Sequence, residues 1–350
     1  MKTPRFHLDH IFKELEIEEI DAVESAVLPQ PFVHPDVETI ATENTQSTKT
    51  DSYYLASEIA SYPLDDLAKI VFYRLHNKLL LNSINVSEIH SKLILPAGKG
   101  FVDAFSNKVI SDLEAHLAQH KYEFGKSEIL QHPGIKDPMF ILSAAGYREE
   151  QEFRKKSMLQ PGMKIVLVNP LAALPVLLLT ELYGEKIRSN FDPEFYKWCR
   201  EIKFMTHISG KSFMRFRRKF PVNGHYSLLG EGGLAIRCYS IAEHYNLGIE
   251  IDLARVPMLT PTKLLCDLFR LDPLSTDSSG CLMAVLDDSG CDALLSLCSE
   301  RKIPAALIGG LTDKHNSCLF SNFEGVQIRM FNPEFDELHR FRYDLLEQKK

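Results

Sequence analysis

The chain has 350 residues, of which 45% are hydrophobic and 25% charged, with a formal net charge of -7. That length can bury two cores, and two domains are expected. The composition is that of an ordinary globular protein rather than a disordered or fibrous one, and the mild acidity argues against a nucleic-acid partner, which needs a basic face. All seven cysteines, Cys199, Cys238, Cys266, Cys281, Cys291, Cys298 and Cys318, lie in the second half without a C-x-x-C pair. They predict buried thiols in a reducing cytoplasm, not a disulfide framework or a metal site.

In chain order, Phe6, Ile11, Phe12, Leu15 and Ile17 are spaced for a short amphipathic helix. Thr39 to Ser52 is Thr, Ser, Asn, Gln and Glu with little to bury, and predicts a mobile loop, so residues 1–52 are set apart from the domains. Tyr53 to Ile59 predicts a strand, and Pro63, Asp65 and Asp66 then open a helix that runs to Leu81 on a face of Leu64, Leu67, Val71 and Leu75. Lys92 to Leu95 is the next strand, followed by a helix from Val102 through His120 and strands at Met139 to Ala144 and Lys164 to Val168.

The apolar run Ile165 to Thr180 is broken by Asn169, Pro170 and Pro175 and falls short of the roughly 20 residues a membrane span needs. It predicts a buried strand, turn and helix, completing a first domain over 53–185, and no membrane contact is expected. With no signal-peptide pattern at the start, the cytoplasm is the expected compartment.

A connecting segment, 186–223, holds the only tryptophan, Trp198, and the second domain, 224–350, alternates more regularly. Its expected elements are a helix after Gly230-Glu231-Gly232-Gly233 to about Asn246, a strand Ile249 to Leu253, a helix near Thr262 to Phe269, a strand Cys281 to Leu286, a helix Gly290 to Arg301 and a strand Pro304 to Ile308. The fold class is α+β, with sheets covered by helices on one face.

Three stretches of the second half carry a resemblance: Gly230-Glu231-Gly232-Gly233-Leu234-Ala235 with Gly248-Ile249-Glu250-Ile251; Val256-Pro257, Thr262, Cys266, Leu271-Asp272-Pro273-Leu274 and Ser279-Gly280-Cys281-Leu282-Met283-Ala284-Val285; and Ile303 to Gly309. In order and spacing they resemble the C-terminal domain of the aminoimidazole ribonucleotide (AIR) synthase and hydrogenase-maturation superfamily. The carbamoyl dehydratase branch fits better than AIR synthase, thiamine-phosphate kinase or selenide water dikinase. The first half is anchored only by Ile94-Leu95-Pro96 and Pro161-Gly162. The resemblance implies a two-domain fold whose N-terminal domain binds ATP and metal and pairs its mixed sheet across a homodimer.

Family chemistry of this kind transfers a phosphoryl group to an oxygen, with carboxylates holding Mg²⁺ and glycines admitting phosphates. Carried over by resemblance, the first acidic-glycine motif falls at His34-Pro35-Asp36-Val37, keeping Asp36 but no glycine, and the next strand's aspartate falls at Glu58. The Asn-Asp pair of the first helix becomes Asn77-Lys78, putting a cation at a metal ligand's position. Gly-Gly-His-Thr-Glu becomes Phe124-Gly125-Lys126-Ser127-Glu128, with a second new cation, and His-Asp-x-Thr-Glu-Gly-Gly becomes His225-Tyr226 and, after two extra residues, Glu231-Gly232-Gly233. The chain ends Glu347-Gln348-Lys349-Lys350, without the Pro-Arg-Ile-Cys tail that carries the carbamoyl group in the maturation enzymes.

The candidate catalytic residues are therefore His225 and Glu231, and the candidate cofactor-binding residues are Asp36, Glu58, Asn77, Lys78, Gly125, Lys126, Glu128, Gly232 and Gly233; none is assigned to a metal. Two readings stand for the lysines: Lys78 and Lys126 pair with Glu58 or Glu128 and leave a self-satisfied site, or they bind phosphate directly. Glu231-Gly232-Gly233 binds an anion at a helix start or merely complements its dipole, and His225 is a catalyst or a hydrogen-bonded structural residue. Cys238 and Cys266 read as core. Lys211, Arg215, Arg217, Arg218 and Lys219, interleaved with Phe213, Phe216 and Phe220, read as a solvated helix face.

The expected function is that of a divergent homologue with a degraded ATP and Mg²⁺ site that acts by binding a nucleotide, another anion or a protein. It forms a homodimer, or a heterodimer with an intact paralogue. The alternative is an ATP-dependent enzyme activating an amide or acyl oxygen through Asp36, Glu58 and Glu128, with ATP and Mg²⁺ as cofactors only in that case.

Overall fold

Period-two and helical patterning resolve into two sheets in a computed structural model, which describes residues 38–40, 52–61, 66–82, 84–97, 102–148, 159–202, 224–315, 317–321, 326–329 and 335–341. The N-terminal amphipathic segment, Asp36 and the basic cluster Lys211 to Lys219 lie outside these residues, which belong to one compact unit, Asp36–Lys350.

The first sheet is built from β1 (Glu38–Ile40), β2 (Ser52–Ala60), β3 (Asn85–Pro96), β4 (Phe124–His132) and β5 (Met139–Arg148), in the order β1-β2-β5-β3-β4. Helices α1 (Leu67–Leu81) and α2 (Val102–His120) cover one face, burying Leu67, Val71, Leu75, Leu79, Val109 and Leu113 against Ile89, Leu93, Leu95, Phe140 and Leu142. Every second residue of β3 from Ile89 on, and of β5 from Phe140 to Gly146, is thus buried, the signature of a sheet with one dry face. The other face has no helix on it among the described residues and leaves Ile59, Leu130 and Tyr147 each about two-fifths exposed, at 42%, 42% and 41%.

Two expectations change here. Glu38–Ile40 pairs antiparallel with Tyr53–Leu55, so the expected loop over Thr39 to Ser52 begins as strand. Residues Phe124–His132 also form a strand, parallel to β3, which the polar run Gly125-Lys126-Ser127-Glu128 concealed. An edge strand needs no apolar alternation on the side it leaves to solvent.

The second sheet takes β6 (Lys164–Val168), β7 (His225–Leu228), β8 (Gly248–Asp252), β9 (Leu282–Leu286), β10 (Ala305–Thr312), β11 (Cys318–Ser321) and β12 (Gln327–Arg329), in the order β12-β11-β8-β10-β6-β9-β7. The expected boundary at residue 185 is corrected: β6 sits between β10 and β9, in the second sheet. A strand preceded by Pro161-Gly162 looks the same from sequence whichever sheet accepts it, because the accepting strands lie more than a hundred residues downstream.

Coverage on one face is also corrected for this sheet. On β6 and β9, Ile165, Leu167, Met283 and Val285 enter one core with α6 (Gly233–Tyr245), while Val166, Val168, Leu282, Ala284 and Leu286 enter another with α8 (Asp288–Glu300). Both faces are dry, which is why these strands read as unbroken apolar runs.

The described part of the segment expected as a connector is mostly helical, as α4 (Gly184–Asn190) and α5 (Pro193–Glu201). Asp192 caps α5 by accepting from the Phe195 amide, with Pro193 at the first turn. With α3 (Ala173–Leu182) and α7 (Thr260–Phe269), these helices extend the first core: Leu174, Leu178, Phe195, Leu265 and Phe269 join the residues beneath α1. All seven cysteines are buried and free. Among the described residues no helix is long and apolar enough to cross a membrane.

Candidate functional site

The residues singled out in the first half fall on opposite faces of one sheet. Glu58 stands opposite Leu142 across β2 and β5, whereas Lys92 stands opposite Ile141 and, on its other side, Glu128. Neighbouring residues on a strand point to opposite faces. Glu58 therefore faces the helices with Leu142, and Glu128 faces away with Ile141.

On the helix side, Lys78 Nζ lies 2.6 Å from Glu58 Oε1, with side chains 16% and 20% exposed, and donates at 3.4 Å to the Ser57 carbonyl. The ammonium offsets the field of the carboxylate, so the pair attracts a metal cation far less than a lone carboxylate would. Asn77, one residue earlier on α1, is buried, and its Oδ1 has no hydrogen-bond partner among the described residues. It is the one candidate in this group whose polar atom is left over.

On the open face Glu128 is held by two ammonium groups, Lys126 Nζ at 2.8 Å and Lys92 Nζ at 3.3 Å. Hydrogen bonds from Lys126 and then Lys92 hold its carboxyl below the usual carboxylate range. Gly125 lies against the His90 ring, whose Nδ1 accepts from the Lys126 amide. Nothing brings this group to Lys78, because the sheet itself lies between them.

The second half places its candidates at a turn where both halves meet. Gly232 and Gly233 have φ of +70° and +56°, which side chains rarely adopt, and a Cβ on Gly233 would lie 2.5 Å from the Thr276 carbonyl oxygen and 2.7 Å from that of Leu274. The glycine is needed for close packing against that loop. The amides of Gly232, Gly233 and Ala235 donate to Asp336 Oδ2, the Gly230 carbonyl and the Leu274 carbonyl, so the chain itself occupies the start of α6.

Arg74, on α1, forms an ion pair with the wholly buried Asp277 and donates to Ser279 Oγ at 2.8 Å and the Ile59 carbonyl at 3.2 Å. Asp277 also accepts from the Ser279 amide and hydroxyl. Glu231 lies 4.0 Å from Arg74 and 3.6 Å from His339 Nε2. Burial, with Asp277 nearby, pushes the Asp336 carboxyl up to about 7, and the bond to Glu231 raises His339.

His225 Nε2 meets Ser227 Oγ at 2.5 Å and its Nδ1 the Tyr245 hydroxyl at 3.3 Å. Arg74, Asp277, Ser279, Asp336 and His339 were not singled out from the sequence. The signals were an arginine within a mostly apolar helix and an aspartate inside the Ser/Thr run Ser275 to Ser279.

Mg²⁺ fits the residues described poorly. Glu58 and Glu128 are both paired and on opposite faces, and among the described residues no group of three or more His, Cys, Asp or Glu side chains is disposed to hold a metal.

The family described as AIR synthase related protein, C-terminal domain, matches residues 229–320. A putative hydrogenase expression/formation protein of Methanocaldococcus jannaschii is 27% identical over 269 residues, 76% of each chain. The structure of E. coli HypE is similar over 82% of this chain and 88% of its own, with a TM-score of 0.66 and 18% identity. Hydrogenase maturation protein HypE in complex with ATP is similar over 82% and 87%, with a TM-score of 0.64 and 15% identity. Residues 229–320 thus match the AIR synthase related C-terminal domain, and the chain has the α+β fold of the HypE structures.

Proposed function

We propose that this protein is a binding or regulatory homologue within its superfamily, one that does not transfer phosphoryl groups by a metal-dependent route. The observation that carries this reading is the 2.6 Å contact between Lys78 and Glu58, an ion pair where the resemblance calls for metal ligands. Lys126 and Lys92 on Glu128 extend the same logic to the open face. In this reading His225 is a structural residue, and Glu231, Gly232 and Gly233 belong to the joint between the halves.

The uncovered face of the first sheet, with Ile59, Leu130 and Tyr147 exposed, supports a dimer in which a second copy, or a paralogue with an intact site, covers it. Seven free, buried cysteines suit a reducing cytoplasm.

One observation favours the second reading, an ATP-dependent enzyme of the hydrogenase-maturation type: the buried Asn77 Oδ1 beside Lys78, which has no hydrogen-bond partner among the described residues. One similar solved structure is itself a complex with ATP. Calorimetric titration of the full chain with ATP, with and without Mg²⁺, separates the two. The expected result is no magnesium-dependent binding, while Lys78→Asp, which replaces the cation by a carboxylate beside Glu58, gains affinity for divalent cations. Magnesium-dependent ATP binding of micromolar or better affinity in the unaltered chain would overturn the proposal.

A further inference from the structure

Between α1 and α2 lies a cluster of imidazole and aromatic rings that the proposed function leaves unused. Phe72 and His76 stand one turn apart on α1, as His116 and His120 do on α2, so each helix turns two rings toward the other. The wholly buried Phe72 stacks with His76 at 5.6 Å between ring centres and with His116 at 5.4 Å. The His120 ring is closer still to His76, at 4.3 Å. His76 is only 7% exposed and meets the Tyr122 hydroxyl at 2.8 Å through Nδ1, while His120 Nε2 stands 3.5 Å from the Tyr73 hydroxyl. His116 Nδ1 is buried and has no hydrogen-bond partner among the described residues.

We propose that this cluster is an acid-sensitive clasp, in which neutral imidazoles hold α2 against α1 and the charging of those rings loosens α2. The property goes beyond the proposed function and does not depend on it.

The direction follows from the packing. Two imidazolium rings 4.3 Å apart repel where water is scarce, so His76 and His120 do not both carry protons while the helices are closed. A charged His116 would bury an N–H with nothing to receive it. The surroundings do not compensate. Tyr73 comes from α1 and Tyr122 from the turn after α2; burial raises the first and pushes the second up to about 12, so both hydroxyls stay neutral. The strands beneath contribute Ile89, Leu93 and Phe140, which carry no charge. Around His116 stand Lys69 and Asp66 from α1 and Asp112 from α2, with Asp112 held by Lys108 at 3.0 Å. Burial and then Lys69 lower His116 against the smaller pull of the two aspartates. The Phe72 face attracts an imidazolium, but it offers no hydrogen bond in place of lost water.

A histidine that takes a proton less readily in the closed pair than in the released chain supplies stability that is complete above the released-state value, near 6.5, and is lost as pH falls through it. Each ring kept neutral removes about a factor of ten from the closed-to-open ratio between pH 7.5 and 5.5.

Amide hydrogen exchange on the full-length protein at pH 7.5, 6.5 and 5.5, corrected for the pH dependence of chemical exchange, tests the clasp without any ligand. Protection along α2 is expected to fall at least about tenfold across the range, while β6 and β9 keep theirs. His116→Gln removes one titrating ring and should take about a factor of ten out of that loss. Proton NMR titration of the histidine rings in the unaltered chain serves where the variant folds poorly, with His116 and one of His76 and His120 expected to titrate below 6.5. Flat protection along α2, an equal loss in β6 and β9, a His116→Gln profile as steep as the original, or three rings titrating at or above 6.5 overturns the clasp. Magnesium-dependent ATP binding would refute only the functional proposal above.

Discussion

The two halves solve the same problem, how to keep carboxylates inside a fold, in different ways. In the first sheet Glu58 and Glu128 keep partial solvent access and meet flexible lysines, one pair on each face. At the joint with the second half, Asp277 is fully buried and is met by an arginine together with a backbone amide and a hydroxyl. Exposed ion pairs contribute little and can be exchanged for a ligand, whereas a buried one is costly to break from either side. The joint is therefore the part fixed by structure, and the lysine pairs are the part free to change with function.

Four perturbations would break or sharpen that contrast. The largest effect is expected from Arg74→Ala, which strands the buried Asp277 and should cost about 3–5 kcal/mol. Because the two residues belong to different halves, urea unfolding should show both sheets destabilised together; loss confined to one half would show that the joint does not couple them.

Next comes Gly233→Ala, which adds a Cβ against the Thr276 and Leu274 carbonyls at positive φ. A cost of about 2–4 kcal/mol is expected, read as a lower denaturation midpoint with an unchanged slope.

Lys78→Met removes the cation from Glu58 while keeping the stem, and should cost about 1–2 kcal/mol. A loss as large as that of Arg74→Ala would erase the distinction drawn here.

The smallest effect is expected from Lys126→Ala, under about 1 kcal/mol because that lysine is 67% exposed. It should still raise the Glu128 pKa, since Lys126 is the first cause of its depression, and carboxyl titration by NMR would show it. The sign follows: a depressed carboxyl supplies stability above its unfolded value near 4.5 and loses it as pH falls through the folded value, so the variant should be less sensitive to acid.

Much of the fold was legible. The helix from Val102 through His120 and the strand Lys164 to Val168 have the bounds that apolar periodicity gave them, because their buried positions repeat without interruption. The strand at Phe124–His132 was hidden, since an edge strand on an open face can be polar throughout. The pairing of Lys78 with Glu58 was one of two readings that residue types allowed, and the geometry shows that pair formed.

The sequence by itself determined the resemblance of the second half and most elements, and showed that cations had entered positions where the resemblance asks for metal ligands, because motif order and residue type survive without coordinates. Only the tertiary structure decided that Glu58 and Glu128 face opposite sides of a sheet, that β6 belongs to the second sheet, and that Arg74 meets Asp277 across the joint. Each is a contact between residues far apart in the chain, set by strand register and by which faces must be buried, and local patterning carries no record of either.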